Sequence, residues 1–170
     1  MPASHAYIGL GSNLDQPVEH IRQALIELDQ LPLSRVTHTS SLFRSSPVGP
    51  QDQDDFINAA AAIETRLSPL ALLDQLQALE QRHRRKRDRH WGPRTLDLDL
   101  LVFDQCTLSH PRLRVPHPEI RARRFVLCPL IEIAPHLILS DHSLQHWLAA
   151  LPESDKVTPI HSPDIDQGAG

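Results

Sequence analysis

The spacing of apolar positions divides the first hundred residues into alternating strands and helices. Residues 5–11 form a short apolar run that ends at a glycine, which is typical of a buried strand. Pro17 and the apolar residues that follow it at helical spacing predict a helix, with Asp15 as its cap. Residues 35–45 contain several β-branched residues and predict a strand. Residues 56–65, FINAAAAIET, predict another strand in spite of their alanines, because turn residues bound them on both sides.

The second half of the chain continues this alternation. Ser68 and Pro69 open a helix, with Ser68 as its cap. A basic run follows, and then an apolar strand within residues 91–104, after a Gly-Pro turn. The order strand, helix, strand, strand, helix, strand predicts an α/β (α+β) fold with a ferredoxin-like βαββαβ core, whose mostly antiparallel sheet is flanked by helices. Short helical turns, a strand-like piece and a closing helix complete a single domain over residues 1–151. Residues 152–170 lack core positions and predict a disordered tail.

Composition excludes several classes of protein. The chain has 170 residues, 40% of them apolar, and this is enough for one domain with its own core. Its net charge of −4 gives no overall attraction to nucleic acid or to anionic membranes. We find neither an apolar run of about 18 residues nor a signal peptide, and the two cysteines form no metal or redox motif. We therefore expect a cytoplasmic protein with reduced thiols that binds neither nucleic acid nor membrane.

Two aspartates interrupt the apolar strand in WGPRTLDLDLLVFD, residues 91–104. Because side chains alternate along a strand, Asp97 and Asp99 point to the same face. The opposite face then carries Leu96, Leu98, Leu100 and Val102, directed into a core. A solvated outer face would tolerate the two like charges, and so would a bound Mg²⁺ ion, which prefers oxygen ligands. The pattern alone leaves both interpretations open.

A dense basic run precedes this strand. It could be a solvated loop, a nucleic-acid patch or a clamp for polyphosphate, whose oxygens match guanidinium groups. The low aromatic content of 4% disfavours base stacking. Arg94 lies three residues before Asp97, and this position favours the polyphosphate clamp, since phosphoryl transfer needs cations and metal ligands together. The run comprises Arg82, Arg84, Arg85, Lys86, Arg87 and Arg89.

Several familiar catalytic motifs are absent. The segment GLGSN, residues 9–13, is neither a P-loop nor a dinucleotide-binding motif, and a tight turn after a strand is the better interpretation. Cys128 lies in the apolar stretch VLCPL, where a core role is expected rather than nucleophilic chemistry. Two other functions fit the same residues: an RNA-binding module on a ferredoxin-like core, and a metal-dependent phosphohydrolase.

Four segments together resemble the 6-hydroxymethyl-7,8-dihydropterin pyrophosphokinase family of folate biosynthesis. They are AYIGLGSNL, SSPVGPQDQDDFINAAAAIET, WGPRTLDLDLL and VPHPEIRARRFVLCPL, in family order within residues 6–139. The resemblance implies transfer of pyrophosphate from ATP to the hydroxymethyl group of the pterin, with release of AMP. It also implies that the partners are these two small molecules, and we expect the protein to be a monomer.

The resemblance assigns roles residue by residue. Asp97 and Asp99 match the aspartates that bind two Mg²⁺ ions, and Arg85 and Arg94 match catalytic arginines near the phosphates. The pterin side comprises Ser45, Ser46, Val48, Phe56, Asn58, Trp91 and Phe125. The nucleotide side comprises Gln77, Glu80, Arg94, Arg112, Arg114, His117 and Arg123.

Three positions depart from the family pattern. Arg84 stands where a glycine usually precedes the loop arginine, so the alignment of Arg85 with that arginine can shift by one position. His90 replaces a common arginine, and Pro118 stands where some members carry an aromatic residue. These departures affect the details of the loop rather than the expected reaction.

Overall fold

The computed structural model describes five stretches of the chain, and among them no helix is long and apolar enough to cross a membrane. The described residues are 2–13, 16–46, 55–85, 96–153 and 156–160. The strands are β1 (Ser4–Ser12), β2 (Ser34–Thr39), β3 (Phe43–Ser45), β4 (Phe56–Thr65), β5 (Asp97–Phe103), β6 (Leu108–His110), β7 (Leu113–Val115), β8 (Ile138–Leu139), β9 (His142–Ser143) and β10 (Val157–Pro159). The helices are α1 (Pro17–Asp29), α2 (Pro69–Arg85), α3 (Arg124–Ile133) and α4 (Leu144–Ala149), with a 3₁₀ turn at Ile120–Ala122 before α3.

The main sheet is antiparallel and has the predicted ferredoxin-like order. Across the sheet, the strands lie in the order β10, β3, β4, β1, β5, and β2 also pairs with β4. Because β2 and β3 share one edge of β4, they act as a single interrupted strand. Together with α1 and α2, these strands complete the βαββαβ core, which confirms the predicted fold class. The pairs β6–β7 and β8–β9 are separate two-stranded ribbons.

Ser40 causes the interruption between β2 and β3, where the sequence predicted one continuous strand. Its N–H donates to the carbonyl of Ala60 at 2.8 Å, and its Oγ accepts from the N–H of Ala60 at 2.8 Å. The same hydroxyl donates to the Ser41 carbonyl at 2.7 Å. A side chain thus replaces a backbone acceptor, so the strand can bend without leaving the buried Ala60 amide unpaired.

Helices cover the sheet on both faces. Helices α1 and α2 contribute leucines and isoleucines to a core against β1, β4 and β5. Helices α3 and α4 contribute to a second core on the opposite face. Ala60 and Ala62 belong to the second face of β4, against which α3 packs, and Ala59 and Ala61 belong to the first. Burial on both faces explains why an alanine-rich segment forms a central strand.

A bulge between β1 and β5 corrects one predicted orientation. Tyr7 pairs with Val102 and Ile8 pairs with Leu100, so Leu101 is the extra residue. Both Leu101 and Val102 consequently lie in the second core. The prediction that Val102 shares a face with Leu96, Leu98 and Leu100 is therefore wrong, whereas those three leucines do belong to the first core.

The ends of the elements agree only in part with the sequence. The Ser68 Oγ accepts from the Ala71 N–H at 3.2 Å, as expected of a cap. Helix α1 has Gln16 at its N-cap in a left-handed conformation with φ 59°, and the expected cap Asp15 lies outside the described residues.

The predicted disordered tail is wrong for residues 156–160, because β10 pairs with β3 and Ile160 is buried. Residues 161–170 lie outside the described residues.

Replacing Ser40 by alanine should lower the free energy of unfolding by about 1–3 kcal/mol, because a buried amide loses its acceptor. Urea denaturation monitored by circular dichroism measures this change. Ser41→Ala is the matched control, since it removes an exposed hydroxyl while the Ser41 N–H keeps its bond to Glu132. We expect the control to stay within about 0.5 kcal/mol of the original chain. Equal losses in the two variants would show that Ser40 does not hold the junction.

Candidate active site

The two aspartates lie on the same face of β5, as predicted, and both are half-buried. The register pairs Asp97 with Gly11 and Asp99 with Gly9 of β1. On its other side, β1 pairs Gly11 with Asn58 and Gly9 with Ala60. Asp97, Gly11 and Asn58 therefore form one row across three strands. Since neighbouring strands lie about 4.8 Å apart, the Cα atoms of Asp97 and Asn58 are separated by roughly 10 Å.

A strip without side chains separates the carboxylates from the amide. Gly9 and Gly11 form this strip. At these two positions of β1 a side chain would project from the same face as the aspartates, and glycine has none. A Cβ atom added at Gly11 would lie 3.4 Å from the Asn58 Oδ1, and one added at Gly9 would lie 3.3 Å from a methyl group of Leu101. The predicted tight turn at residues 9–13 is wrong, because residues 9–12 continue β1. The strip is therefore bounded by the Asn58 amide beside Gly11 and by the Leu101 side chain beside Gly9.

Asn58 is fixed on the far side of the strip. Its side chain is 3% exposed, and its Nδ2 donates to the Ser45 Oγ at 2.7 Å. Phe56 lies two residues earlier on the same face and is half-buried. Of the neighbouring predicted residues, Ser46 is exposed and Val48 lies outside the described residues. The structure therefore brings Ser45, Phe56 and Asn58 together, with the amide held in one orientation.

Helix α2 approaches the aspartates from the edge of the sheet. The Glu80 Oε2 accepts from the N–H of Leu98 at 2.8 Å, and Leu98 lies between the two aspartates. This bond ties the helix to the metal-ligand candidates through the backbone of β5. One turn earlier on α2, the Gln77 Oε1 accepts from the Arg112 Nη2 at 3.1 Å. The same Arg112 nitrogen lies 2.6 Å from the Asp74 Oδ1, so α2 holds Arg112 by two contacts.

The segment after β7 lies against β5 as well. Here the His117 N–H donates to the Leu101 carbonyl at 2.8 Å, two residues beyond Asp99. The Glu119 N–H in turn donates to the His117 Nδ1 at 3.1 Å, which orients the imidazole. The peptide bond between Val115 and Pro116, just before His117, is cis. His117 is thus placed next to the aspartate strand, whereas Arg114 is exposed on β7.

Phe125 and Arg123 lie at the start of α3. Both are half-buried, and the Arg123 guanidinium carbon lies 5.8 Å from the centroid of the Phe125 ring. Helix α3 packs against β4 and β3, the strands that carry Asn58 and Ser45. Phe125 therefore belongs to a helix that packs against the strands of Asn58 and Ser45.

Several predicted residues lie beyond what the structure describes. Trp91 and Arg94 lie outside the described residues, and Arg85 ends α2 with its side chain outside them. Nothing in the geometry therefore tests these three assignments.

The donor set at the aspartates suits a particular kind of metal site. Among the described residues, no group of three or more histidine, cysteine, aspartate or glutamate side chains could hold a metal ion. Asp97 and Asp99 thus offer two carboxylates without a third protein ligand of these types in the described part. Mg²⁺ is commonly bound by one or two carboxylates, with substrate phosphates and water supplying the other oxygens. The residues present therefore fit a Mg²⁺ site shared with a phosphate ligand.

Sequence reasoning missed two features of the site. Gly9 and Gly11 carry the same i, i+2 spacing as the aspartates, but only the strand register shows that the two pairs face each other. Asn13, directly after β1, is 2% exposed, and its Oδ1 has no hydrogen-bond partner among the described residues.

Cys128 belongs to neither of the two cores, so the core role expected from the sequence is wrong. It is half-buried in α3, and both Cys128 and Cys106 are free thiols. Burial raises the pKa of the Cys128 thiol, and the nearby Arg124 charge opposes this shift less strongly. A thiol with a raised pKa is a poor nucleophile at neutral pH. The raised pKa therefore agrees with the expectation that Cys128 is not a nucleophile.

Comparison with known proteins gives a consistent result. The sequence matches the family described as 7,8-dihydro-6-hydroxymethylpterin-pyrophosphokinase over residues 7–135. A Pseudomonas aeruginosa relative named 2-amino-4-hydroxy-6-hydroxymethyldihydropteridine pyrophosphokinase is 51% identical over 147 residues, covering 86% of this chain and 91% of the relative. A Haemophilus influenzae relative of the same name is 49% identical over 139 residues, covering 82% of this chain and 87% of the relative. The matched region contains the whole row from Asp97 to Asn58.

Solved structures show the same fold at low identity. A crystal structure of HPPK-DHPS in complex with substrates superposes with a TM-score of 0.71 at 13% identity, over 88% of this chain and 43% of that chain. Wild-type Plasmodium falciparum HPPK-DHPS with pteroate gives a TM-score of 0.70 at 14% identity, over 86% of this chain and 42% of that chain. This chain thus spans less than half of either of those chains.

Proposed function

We propose how this chain, a member of the 7,8-dihydro-6-hydroxymethylpterin-pyrophosphokinase family, divides its reaction between the two sides of the glycine strip. The enzyme transfers pyrophosphate from ATP to the hydroxymethyl group of 6-hydroxymethyl-7,8-dihydropterin and releases AMP, in folate biosynthesis. In our proposal the ATP phosphates bind beside Asp97 and Asp99, and the pterin binds beside Asn58. The row Asp97, Gly11, Asn58 carries this proposal. Asp97 on β5 and Asn58 on β4 lie on opposite sides of the glycines of β1, each on a neighbouring strand.

On the pterin side, Asn58 recognises the polar edge of the ring. Its amide is buried and held by Ser45, so it presents its hydrogen-bonding groups without first losing conformational freedom. Phe56 and Phe125 offer aromatic surface to the faces of the ring. Ser46, Val48 and Trp91 complete this side in the proposal.

On the phosphate side, Asp97 and Asp99 would hold two Mg²⁺ ions, to which the phosphate oxygens of ATP would also bind. When bound, these ions neutralise the negative charge of the phosphate oxygens. Arg94 and Arg85 add positive charge next to the same phosphates, and a guanidinium can contact two oxygens at once. The arginines therefore contact the ATP phosphates directly, whereas the two aspartates act on the same phosphates through Mg²⁺.

On the nucleotide side, we assign the remaining predicted residues to binding the rest of ATP. Glu80 does so by holding β5 through the Leu98 N–H, and Gln77 does so by holding Arg112. His117 is oriented by the Glu119 N–H and adjoins β5. Arg114 and Arg123 complete the set in the proposal.

In this proposal, the separation across the strip sets the distance between the two bound substrates. A separation of roughly 10 Å between the Cα atoms of Asp97 and Asn58 leaves room for the pterin ring and its hydroxymethyl group. The hydroxymethyl oxygen attacks the β-phosphorus, the bond from this phosphorus to the α-phosphate oxygen breaks, and AMP leaves. The hydroxyl proton is released to solvent or to a phosphate oxygen. Holding both reactants in line supplies much of the rate, since this chemistry depends on positioning and charge stabilisation.

A product analysis separates this function from the two other functions considered. The chain is incubated with ATP and Mg²⁺, with and without the hydroxymethyl-dihydropterin, and AMP, ADP and inorganic phosphate are quantified. We expect AMP to form only when the pterin is present. Release of inorganic phosphate without pterin would instead indicate a phosphohydrolase. The monomeric state and the cytoplasmic location remain predictions, which gel filtration and cell fractionation can test.

Asp97→Asn and Asp99→Asn should each reduce turnover by about 10²–10³-fold, because each removes a charge that holds Mg²⁺ at the phosphates. Steady-state rates are measured across a Mg²⁺ titration. Asp141→Asn is the matched control, since Asp141 is exposed in the turn between β8 and β9 and Asn tolerates its left-handed φ of 67°. Unchanged turnover of either variant at saturating Mg²⁺ would exclude the metal assignment.

Asn58→Ala should weaken pterin binding by about 1–3 kcal/mol, because the ring edge loses its partner in a buried site. Binding of a non-hydrolysable ATP analogue should change little. Isothermal titration calorimetry with each ligand separately measures both effects. A similar loss for the two ligands would indicate that Asn58 has a purely structural role.

Gly11→Val should leave the fold intact and weaken pterin binding by about 1–3 kcal/mol, because its methyl groups fill the strip next to Asn58. Valine suits a strand, so the circular dichroism spectrum should be retained. His5→Val is the control, since His5 is exposed at the other end of the same face of β1. Normal pterin affinity in Gly11→Val would mean that the ring does not lie on the strip.

A further inference from the structure

A carboxylate of α3 holds the junction between β2 and β3. The Glu132 Oε1 accepts from the Ser41 N–H at 2.6 Å and from the Ser41 Oγ at 2.8 Å. Both residues are exposed, and they are 91 positions apart in the chain. The reaction as proposed above uses neither of them. The contact therefore needs an explanation from the strands that it joins to the helix.

The junction contains one residue more than the strand opposite it. Before the junction Thr39 pairs with Ala61, and after it Phe43 pairs with Asn58. Three residues of the outer strand therefore lie opposite two residues of β4. An extra residue of this kind is a β-bulge, which remains outside the regular pairing and bends the strand that carries it.

Ser41 is the extra residue of this bulge. Ser40 is bonded to Ala60 through both its N–H and its hydroxyl. Leu42 and Ala59 both lie in the first core, on the same face of the sheet. These contacts use the two residues of β4, so Ser41 is left over, and its N–H and hydroxyl bond to α3.

Strand β10 covers the outer edge of β3 up to this bulge. It pairs with β3 from Ser45 to Phe43, and the Ile160 N–H donates to the Leu42 carbonyl at 2.8 Å. Ser41 comes next along that edge, and there Glu132 supplies the acceptor. The edge is thus held by backbone as far as Leu42 and by a side chain of α3 at Ser41.

The position of the bulge decides which side chain of β3 meets the Asn58 amide. Strand β3 has three residues, and Ser45 at its end stands opposite Phe56 and accepts from the Asn58 Nδ2 at 2.7 Å. Without the extra residue the pairing would continue unshifted from β2, and Arg44 would stand opposite Phe56 in place of Ser45. The contact that holds the bulge therefore also holds the partner of the Asn58 amide.

We propose that Glu132 is a positioning residue for pterin binding: it holds Ser41 outside the pairing with β4 and thereby keeps Ser45 on the Asn58 amide. The proposal rests on the function proposed above, since that function assigns Asn58 to the pterin. An amide that is already held in one orientation binds its ligand without losing further conformational freedom. Glu132 therefore acts on pterin affinity through the register of β3 rather than through contact with the substrate.

The first experiment measures steady-state kinetics in three variants. We expect Glu132→Ala to raise KM for the pterin about three- to tenfold, with kcat and KM for ATP within about twofold, because hydrogen bonds to a charged acceptor are lost at the bulge. Glu132→Gln retains an oxygen that accepts both hydrogen bonds, so its KM for the pterin should stay within about twofold of the original value.

Asp29→Ala is the matched control, because Asp29 is also exposed and its carboxylate also accepts from a backbone N–H of the outer strand, that of Val36 in β2. We expect this variant to keep its KM for the pterin. An equal rise in Asp29→Ala and Glu132→Ala would overturn the proposal, and so would a Glu132→Gln variant as impaired as Glu132→Ala.

A double-mutant cycle tests whether the effect passes through Ser45. If Glu132 acts by keeping Ser45 in place, combining Glu132→Ala with Ser45→Ala should raise KM for the pterin no more than Ser45→Ala alone. The full Glu132→Ala factor in the Ser45→Ala background would overturn the proposal. If Asn58→Ala leaves pterin binding unchanged, the pterin side of the proposed function fails first, and the two failures are thus distinguished.

A structural readout without substrate accompanies the kinetics. The ¹⁵N–¹H signals of the Asn58 side-chain amide report its hydrogen bond to Ser45. We expect these signals to shift in Glu132→Ala in the same direction as in Ser45→Ala, and to stay in place in Glu132→Gln and Asp29→Ala. Unchanged Asn58 signals in Glu132→Ala would show that the amide does not depend on the bulge and would overturn the proposal.

Discussion

Strand β1 is paired on both sides, with β4 and with β5, and a shift of one residue in either pairing would turn one side of the site to the opposite face. The present register places the glycines between the aspartates and Asn58, so carboxylate, glycine and amide follow one another across the sheet. The bulge at Leu101 changes the register between β1 and β5, so this pairing of aspartates with glycines occurs only on one side of the bulge. Beyond the bulge, Leu101 and Val102 pack into the second core, so the same face is polar at one end and apolar at the other.

Carboxylate side chains accept hydrogen bonds from backbone N–H groups along this sheet at several points. The Asp29 Oδ1 accepts from the Val36 N–H of β2 at 2.8 Å, and Glu132 accepts from the Ser41 N–H at 2.6 Å. Glu80 does the same for β5. An unpaired strand edge can pair with another chain, and a side-chain acceptor occupies one N–H group that such pairing would use. At β5 the acceptor has a second effect, because it ties α2 to the strand that carries the aspartates.

Much of the fold and part of the site could be predicted from the sequence, because their signals are local. Alternation and turn residues located β1, β4 and β5, and the cap at Ser68 located α2. The break at Ser40 and the edge strand β10 were missed, since each depends on hydrogen bonds to residues distant in sequence. The sequence also could not show that Asp97, Asn58 and the glycines share one face. This depends on the register between strands, which is not encoded within any single strand.

The sequence by itself determined the chemistry available: a carboxylate pair at strand spacing, a dense set of arginines, and an ordered set of segments that resemble one enzyme family. Only the tertiary structure decided which of these groups meet. Strand pairing brought Asp97, Gly11 and Asn58 into one row although they are far apart in the chain. Helix packing likewise joined His83 to Glu27 and His20. The physical reason is that alternation and propensity act between near neighbours in sequence, whereas register and packing depend on the burial of the whole chain.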